Sequence, residues 1–348
     1  MKSIRKIAVW ILLSFIAQFS LYLYLDKVRY VEQTTFATKS VEVGKKSYKQ
    51  VDVKIPEGAK NINVSYDGRY VAYFQNGVLK VIDSFTGNEK KQEVKAGNEI
   101  AYYRWLPDEE RIFIAEKDVK KSRLTFFSYD VKKNDKNQIM KKNEPVTVAL
   151  PDSKSEVEDI ELSTLTSVIY VKINHTGKRS SVYRIDINNA LTKVSTNGYV
   201  LGRIDTINRK DILLYEDMFN LRDAQIRLTN SSQILKINNV KGLCLLSVDL
   251  EDVIYLGELE GDKVKRIYSG NLEERTDKWK VTELKEPVDR KDLYITNEGK
   301  IYYNDNLRGV VIELSTSKET AYKGKFHQMF NNGIAAISDN KLVKFNFK

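Results

Sequence analysis

The chain has 348 residues, 42% hydrophobic and 30% charged, with 20 Tyr and 13 Phe. That composition excludes a disordered chain and is enough for a large folded core. The 57 Lys and Arg against 47 Asp and Glu leave a net charge of +10; such an excess draws a protein toward anionic headgroups, wall polymers or nucleic acid, and equally describes a plain solvated surface.

Residues 7–25, IAVWILLSFIAQFSLYLYL, carry no charge. As a helix they would reach ~28 Å, close to the ~30 Å hydrocarbon layer of a bilayer. Lys2, Arg5 and Lys6 precede them, so the positive-inside rule keeps residues 1–6 in the cytoplasm and sends the rest across. Trp10, Tyr22 and Tyr24 fall near the two interfaces, where amphipathic rings settle. A cleaved signal peptide has a shorter apolar core, ~7–15 residues, and a small-x-small site. This segment ends YLYLD and no cysteine follows closely, so an uncleaved single-pass anchor is expected rather than a lipoprotein. Residues 26–47, of mixed charge and with several Thr and Ser, read as a stalk.

The stretch 61–95 holds three short β-branched and aromatic runs, 62–66, 70–74 and 78–83, cut by Asp67-Gly68, Asn76-Gly77 and Thr86-Gly87-Asn88. Those turn signals predict a meander of antiparallel strands with a fourth, more polar one. The second run recurs as RIFIA (111–115), SVIYV (167–171), DILLY (211–215), VIYLG (253–257), KIYYN (300–304) and GIAAI (333–337). The third recurs in step, at 124–130, 181–186, 224–229, 264–269, 310–315 and 341–346. Inner strands fit around Ile62, Tyr102, Ile160, Ile204, Leu245, Tyr294 and Met329. A period of about 40–45 residues is the mark of propeller blades. The expectation is an all-β fold: a seven-bladed β-propeller of four-stranded antiparallel blades at 48–348, preceded by one N-terminal transmembrane helix.

Polar outer strands are expected at 90–95, 138–141, 191–195, 233–237, 278–284 and 319–323, one too few for seven blades. The alternating run YKQVDVKI (48–55) supplies the seventh if it pairs with 341–347, closing the ring through main-chain hydrogen bonds.

VSYDGRYVAYF (64–74), followed by VID (81–83) and Thr86-Gly87, resembles the Ser-Pro-Asp-Gly blade motif of the WD40-like propellers of TolB and dipeptidyl peptidase IV-type proteins. WLPD (105–108) before RIFI is a weaker copy; Tyr66 stands where the family has Pro, and no blade carries the Gly-His and Trp-Asp pair of true WD40 repeats. The resemblance implies the fold and a binding habit, not a reaction.

No Gly-x-Ser-x-Gly elbow, phosphate loop, dinucleotide fingerprint or paired zinc-ligand spacing occurs. Cys244 is the single cysteine; within the apolar run 243–248 it reads as a buried, inert thiol. No enzyme is expected and no cofactor is assigned. Blade topology places Asn174, His175, Arg179, Asp217, Arg222, Asp305 and Arg308 in second-to-third-strand loops and His327 in the crossover to blade seven, all on one face. Arg and carboxylates at a channel mouth can grip a peptide or glycan; the plain alternative is a solvated rim. Lys-rich 117–142 suits anionic lipid or wall polymer, and 218–221, MFNL, places large apolar residues in a loop, as a partner contact or a cover over the hub.

The leading expectation is thus an extracytoplasmic binding or scaffold module on a single-pass anchor, with an envelope protein, peptide, wall polymer or lipid as partner and no nucleic acid. The alternative is a lactonase-like hydrolase holding Ca²⁺ on the channel axis through Asp159, Glu161, Asp205, Asp249 or Asp292.

Overall fold

The computed structural model describes residues 2–24, 53–219 and 224–347. Two compact units are separated near Tyr48. Among the described residues the first contains one helix, Lys2–Tyr24. Its described apolar side chains are open, Trp10 to 73% and Phe19 to 69%, and Arg5–Tyr24 is long and apolar enough to cross a membrane. The expected stalk and the first part of the closing run, residues 48–52, lie outside the described residues.

The second unit is a seven-bladed propeller. Blade one is the meander Lys60–Val64, Tyr70–Gln75, Val78–Asp83 and Glu89–Gln92. Blades two to six follow at 98–149, 156–193, 201–235, 243–289 and 293–321. Blade seven is Lys325–Phe330, Gly333–Ser338 and Lys341–Asn346, completed by Val53–Lys54 from the other end of the propeller chain.

Turn chemistry explains much of this. Gln75 pairs with Val78 across Asn76 and Gly77, whose φ of 52° and 78° are those of a two-residue hairpin turn. Asp67-Gly68 is different: only Gly68 has positive φ, and the turn is longer, with Asp67 Oδ1 accepting from Ser65 Oγ and Arg69 N. A Cβ on Gly68 would stand 2.6 Å from the Phe330 ring of blade seven, so glycine is needed there for space as well as for φ.

Inner strands carry a register shift against the second strand in six of the seven blades, for example between Ile100 and Tyr102 and between Phe326 and Gln328. Such bulges sharpen twist and let each inner strand follow the hub. The second strands are sandwiched between neighbouring blades, and Val71, Ala72, Ile112, Ile114, Leu213, Leu214 and Leu256 are fully buried. That is why they read as unbroken apolar runs rather than alternating ones.

Outer strands depart most from expectation. In blade two the edge is split: Asp135–Gln138 and Thr147–Ala149 both pair with Arg123–Asp130, and the hairpin Met140–Lys141/Glu144–Pro145 stands out between them. Of the expected run 138–141, only Gln138, paired with Phe127, and Ile139, whose N–H donates to Phe126 O at 2.8 Å, therefore meet the blade's third strand. In blade five the outer strand, Lys280–Asp289, is much longer than the others.

The ring closes as expected. Val53 pairs with Leu342, Lys54 with Lys341, and Ile55 N donates to Asn340 O at 2.7 Å. Val53 and Ile55 are buried with Val64, Val71, Phe330 and Leu342, joining blades one and seven. On the same seam Lys344 donates to Gly68 O and Ser84 Oγ and lies 5.0 Å from the Phe85 ring centroid. Burial holds its pKa down to about 8, against the opposing pull of Asp67 and Asp83.

From pH 8 to the ordinary lysine value of ~10.4, the native state thus binds fewer protons than the unfolded chain, and stability rises with pH through Lys344. Lys344→Met is expected to lose that rise, about 1–2 kcal/mol for a half-buried, partly screened group. Melts of both proteins at about pH 7.5 and 9.5 measure it; parallel slopes would refute the assignment.

Candidate functional site

Among the described residues the seven sheets exchange no ladder pairs with one another; a few main-chain bonds, such as Asn331 N to Tyr66 O at 3.1 Å, and many side chains stitch the hub. Trp105 Nε1 donates to Asn63 O at 3.3 Å and Tyr103 OH to Ala72 O at 2.8 Å, joining blades two and one. Arg104 reaches from blade two to Asp159 (2.8 Å) and Glu161 (2.9 Å) of blade three. Asp205 and Glu216 of blade four accept from Val248 N (2.9 Å) and Leu245 N (2.7 Å) of blade five. Blades six and seven meet where the Tyr302 and Phe347 rings stack with centroids 4.1 Å apart. Gln328 of blade seven exchanges hydrogen bonds with both Val64 N and Val64 O of blade one.

Inside this ring is a cavity of 330 Å³ lined from all seven inner strands. Its charge is lopsided. Arg104, Glu161, Arg203 and Asp205 gather on blades two to four, with Arg290 pairing to Glu216 at 2.8 Å, while Tyr294, Ile295 and Met329 form the opposite wall. Burial pushes the Glu161 carboxyl well above its usual range, opposed chiefly by Arg104. Burial likewise raises Asp205, opposed by Arg203 and by N–H groups of Thr206 and Val248. For Arg104 burial acts to lower the pKa, and Glu161 and Asp159 outweigh it, so the guanidinium is firmly charged. Among the described residues Arg203 has no carboxylate within ion-pair distance, and its side chain is open to the channel. At the mouth formed by first-to-second-strand turns, Asn297 Nδ2 of blade six donates to Pro107 O of blade two at 2.7 Å. Those blades are not neighbours, so this bond spans the opening.

Of the eight residues expected to share one face, the seven that are described each have a local partner. Asn174 accepts from Ser180 Oγ at 2.8 Å. His175, last in the second strand of blade three, sits between Ser155 Oγ (2.8 Å) and Ser181 Oγ (3.0 Å), and burial lowers its pKa. Arg179 stacks over the Tyr199 ring, and Asp217 is buried against Arg227 at 3.0 Å. Arg222 lies outside the described residues. Asp305 and Arg308 share the loop of blade six. His327 is not in the crossover: it lies within the inner strand Lys325–Phe330, at the bulge, with Nε2 2.8 Å from Ile62 O. The extra residue of the bulge turns it toward blade one, which makes it a seam residue.

Part of the Lys-rich segment of blade two is paired in place. Lys117 is buried and donates to Ser153 O and Ser155 O; Lys136 pairs with Glu116, and Lys121, Lys132 and Lys133 pair with Asp118, Glu110 and Asp130. Phe219 is 83% exposed, and Asn220 and Leu221 lie outside the described residues. Cys244 is buried, which pushes its thiol up to about 11.

Of the five carboxylates considered for a metal, Asp159 and Glu161 are bridged by Arg104, and Asp249 is held by Tyr255 OH at 2.9 Å and two backbone N–H groups. Asp292 accepts from Asn306 Nδ2 at 3.0 Å. Among the described residues no three His, Cys, Asp or Glu side chains are grouped to hold a metal ion. Sequence reading does not point to Arg104, Arg203, Arg290 or Glu216 as channel residues. Arg104 between Tyr103 and Trp105 is the one visible signal, a lone charge inside an aromatic inner strand.

No protein-family model and no curated protein matches the chain. Solved structures do match, at low identity. An oligogalacturonate lyase in complex with manganese is 12% identical with a TM-score of 0.56, over 82% of this chain and 88% of its own. A chain of the mitotic checkpoint complex is 12% identical with a TM-score of 0.51, over 86% and 93%. TolB from Acinetobacter baumannii is 10% identical with a TM-score of 0.45, over 82% and 63%. The shared feature is the fold. The first two matches show the fold alone, a propeller of the kind that the blade motif of residues 64–74 implied.

Proposed function

We propose that this chain is a membrane-anchored, extracytoplasmic propeller that binds a protein partner and does not catalyse a reaction. The observation that carries the reading is the helix Lys2–Tyr24, whose described apolar side chains are exposed, ahead of a closed propeller. Arg5 and Lys6 at its start favour a cytoplasmic amino terminus. A binding role is supported by the channel, where Arg104 and Arg290 occupy the carboxylates that a metal-dependent reaction would need. It is also supported by the large apolar side chains left in water on the second-to-third-strand loops, Phe219 at 83% and Leu307 at 100%.

The test is topology. With alkaline phosphatase fused after residue 348, the full chain is expected to give an active reporter and a propeller digested by protease added to spheroplasts. A protected propeller and a silent reporter would reverse the reading.

A further inference from the structure

We propose that the groove between blades five and six docks a cationic, extended segment of the protein partner; the idea rests on the binding-module reading above. The groove has a volume of 640 Å³. One wall is made by an excursion of the outer strand of blade five. Arg266 pairs with Glu283 and Val264 with Val288, so a single residue of the third strand faces the four residues 284–287 of the outer one. Pro287, which has no N–H to return to the ladder, ends this arch.

The other wall is the second-to-third-strand loop of blade six. There Asp305 Oδ1 accepts from Leu307 N and Arg308 N, both at 3.1 Å, and the turn so formed leaves the Leu307 side chain wholly in water. Between the walls the groove has an apolar lining from Leu284, Val288, Tyr303, Ile312 and Leu314. An aliphatic side chain of a partner is matched to that lining, with Leu307 at its rim.

Charge selects the occupant. Seven lining residues are carboxylates and three are cations, in a chain whose overall charge is +10. Among the described residues Glu286 and Asp289 have no cation within ion-pair distance, whereas Glu319 is held by Arg308 at 2.7 Å. A cationic peptide is repelled by this protein on average and attracted here, so the field both steers it and fixes where it lands. The far edge of Lys280–Asp289 pairs with no other strand among the described residues, and free N–H and C=O groups of that kind suit an extended chain.

The experiment uses the full chain in nanodiscs of neutral phosphatidylcholine and a fluorescein-labelled decapeptide of alternating Lys and Val, read by anisotropy. Saturable binding is expected, at least tenfold weaker in Glu286→Lys/Asp289→Lys and unchanged within twofold in Glu93→Lys/Glu99→Lys, of which Glu93 lies in the stretch joining blades one and two and Glu99 near the start of the inner strand of blade two. Equal affinity of the first variant, or equal binding of a Glu and Val peptide, overturns the proposal. Cross-linking in cells separates the two readings. A partner that cross-links equally to both variants overturns the groove alone, and no partner on any chain overturns the binding module itself.

Discussion

Deleting residues 48–55 is expected to lower the melting temperature of the propeller by on the order of 10 °C or more and to broaden its transition. Val53 and Ile55 are 3% and 6% exposed within the cluster that joins blades one and seven. Burying each is worth roughly 1.5–3 kcal/mol, and the ladder to Leu342 and Lys341 is lost with them. Stability of a folded domain is about 5–15 kcal/mol in all, so the loss is a large share of it. Without the strand, Lys341–Asn346 becomes an open edge and blade seven can fray on its own. Ile55→Ala should cost about 2–4 kcal/mol by cavity formation, whereas Lys54→Ala, at an exposed position, should change stability by less than about 0.5 kcal/mol. Calorimetry of the three proteins decides it. An unchanged temperature and width for the deletion would mean the ring is not held shut there.

The second large effect is expected at Arg104. Removing it leaves Glu161, 7% exposed, without its counter-charge. Breaking a buried ion pair from one side costs about 3–5 kcal/mol; Arg104 is partly open to the channel, so Arg104→Ala is placed near 3 kcal/mol. The pH dependence follows from Glu161, whose native pKa is raised by burial against the pull of Arg104. A carboxyl with a raised native pKa costs nothing where it is protonated in both states, below the unfolded value of ~4.3, and costs progressively more as pH rises toward the native value. Loss of Arg104 raises that native value further. The deficit of Arg104→Ala should therefore shrink between about pH 7.5 and pH 5, and Arg104→Met/Glu161→Gln should recover much of it. Urea midpoints at the two pH values measure this; a deficit independent of pH would locate the cost elsewhere.

Much of the blade structure is legible in the sequence, because strands and tight turns are local. Asn76-Gly77 can take positive φ at both positions and so sets the register of Gln75 against Val78. The apolar runs from Tyr70, Arg111 and Val253 fall on second strands because these are covered on both faces. Legibility fails where an extra residue enters a strand. The bulge beside His327 moves that side chain from an expected loop into the seam, and the excursion at 284–287 builds a groove wall that alternation does not announce. Asp305 and Arg308 were singled out as loop residues; what they face depends on blade five, far away in the chain.

Period, turn dipeptides and the apolar N-terminal run were enough to determine the order of the three inner strands of each blade, the seven blades, a closing run at 48–55, of which Val53–Lys54 is described in the ladder, and a helix able to span a bilayer. These follow from backbone preference and side-chain pattern, which act over a few residues or repeat at fixed spacing. Only the tertiary structure decided which charges meet. Arg104 with Asp159 and Glu161, Arg290 with Glu216, and the Asn297 bond to Pro107 across the mouth all join residues from different blades. Their pairing is set by how the inner strands bend around a shared axis, a geometry that no single blade contains.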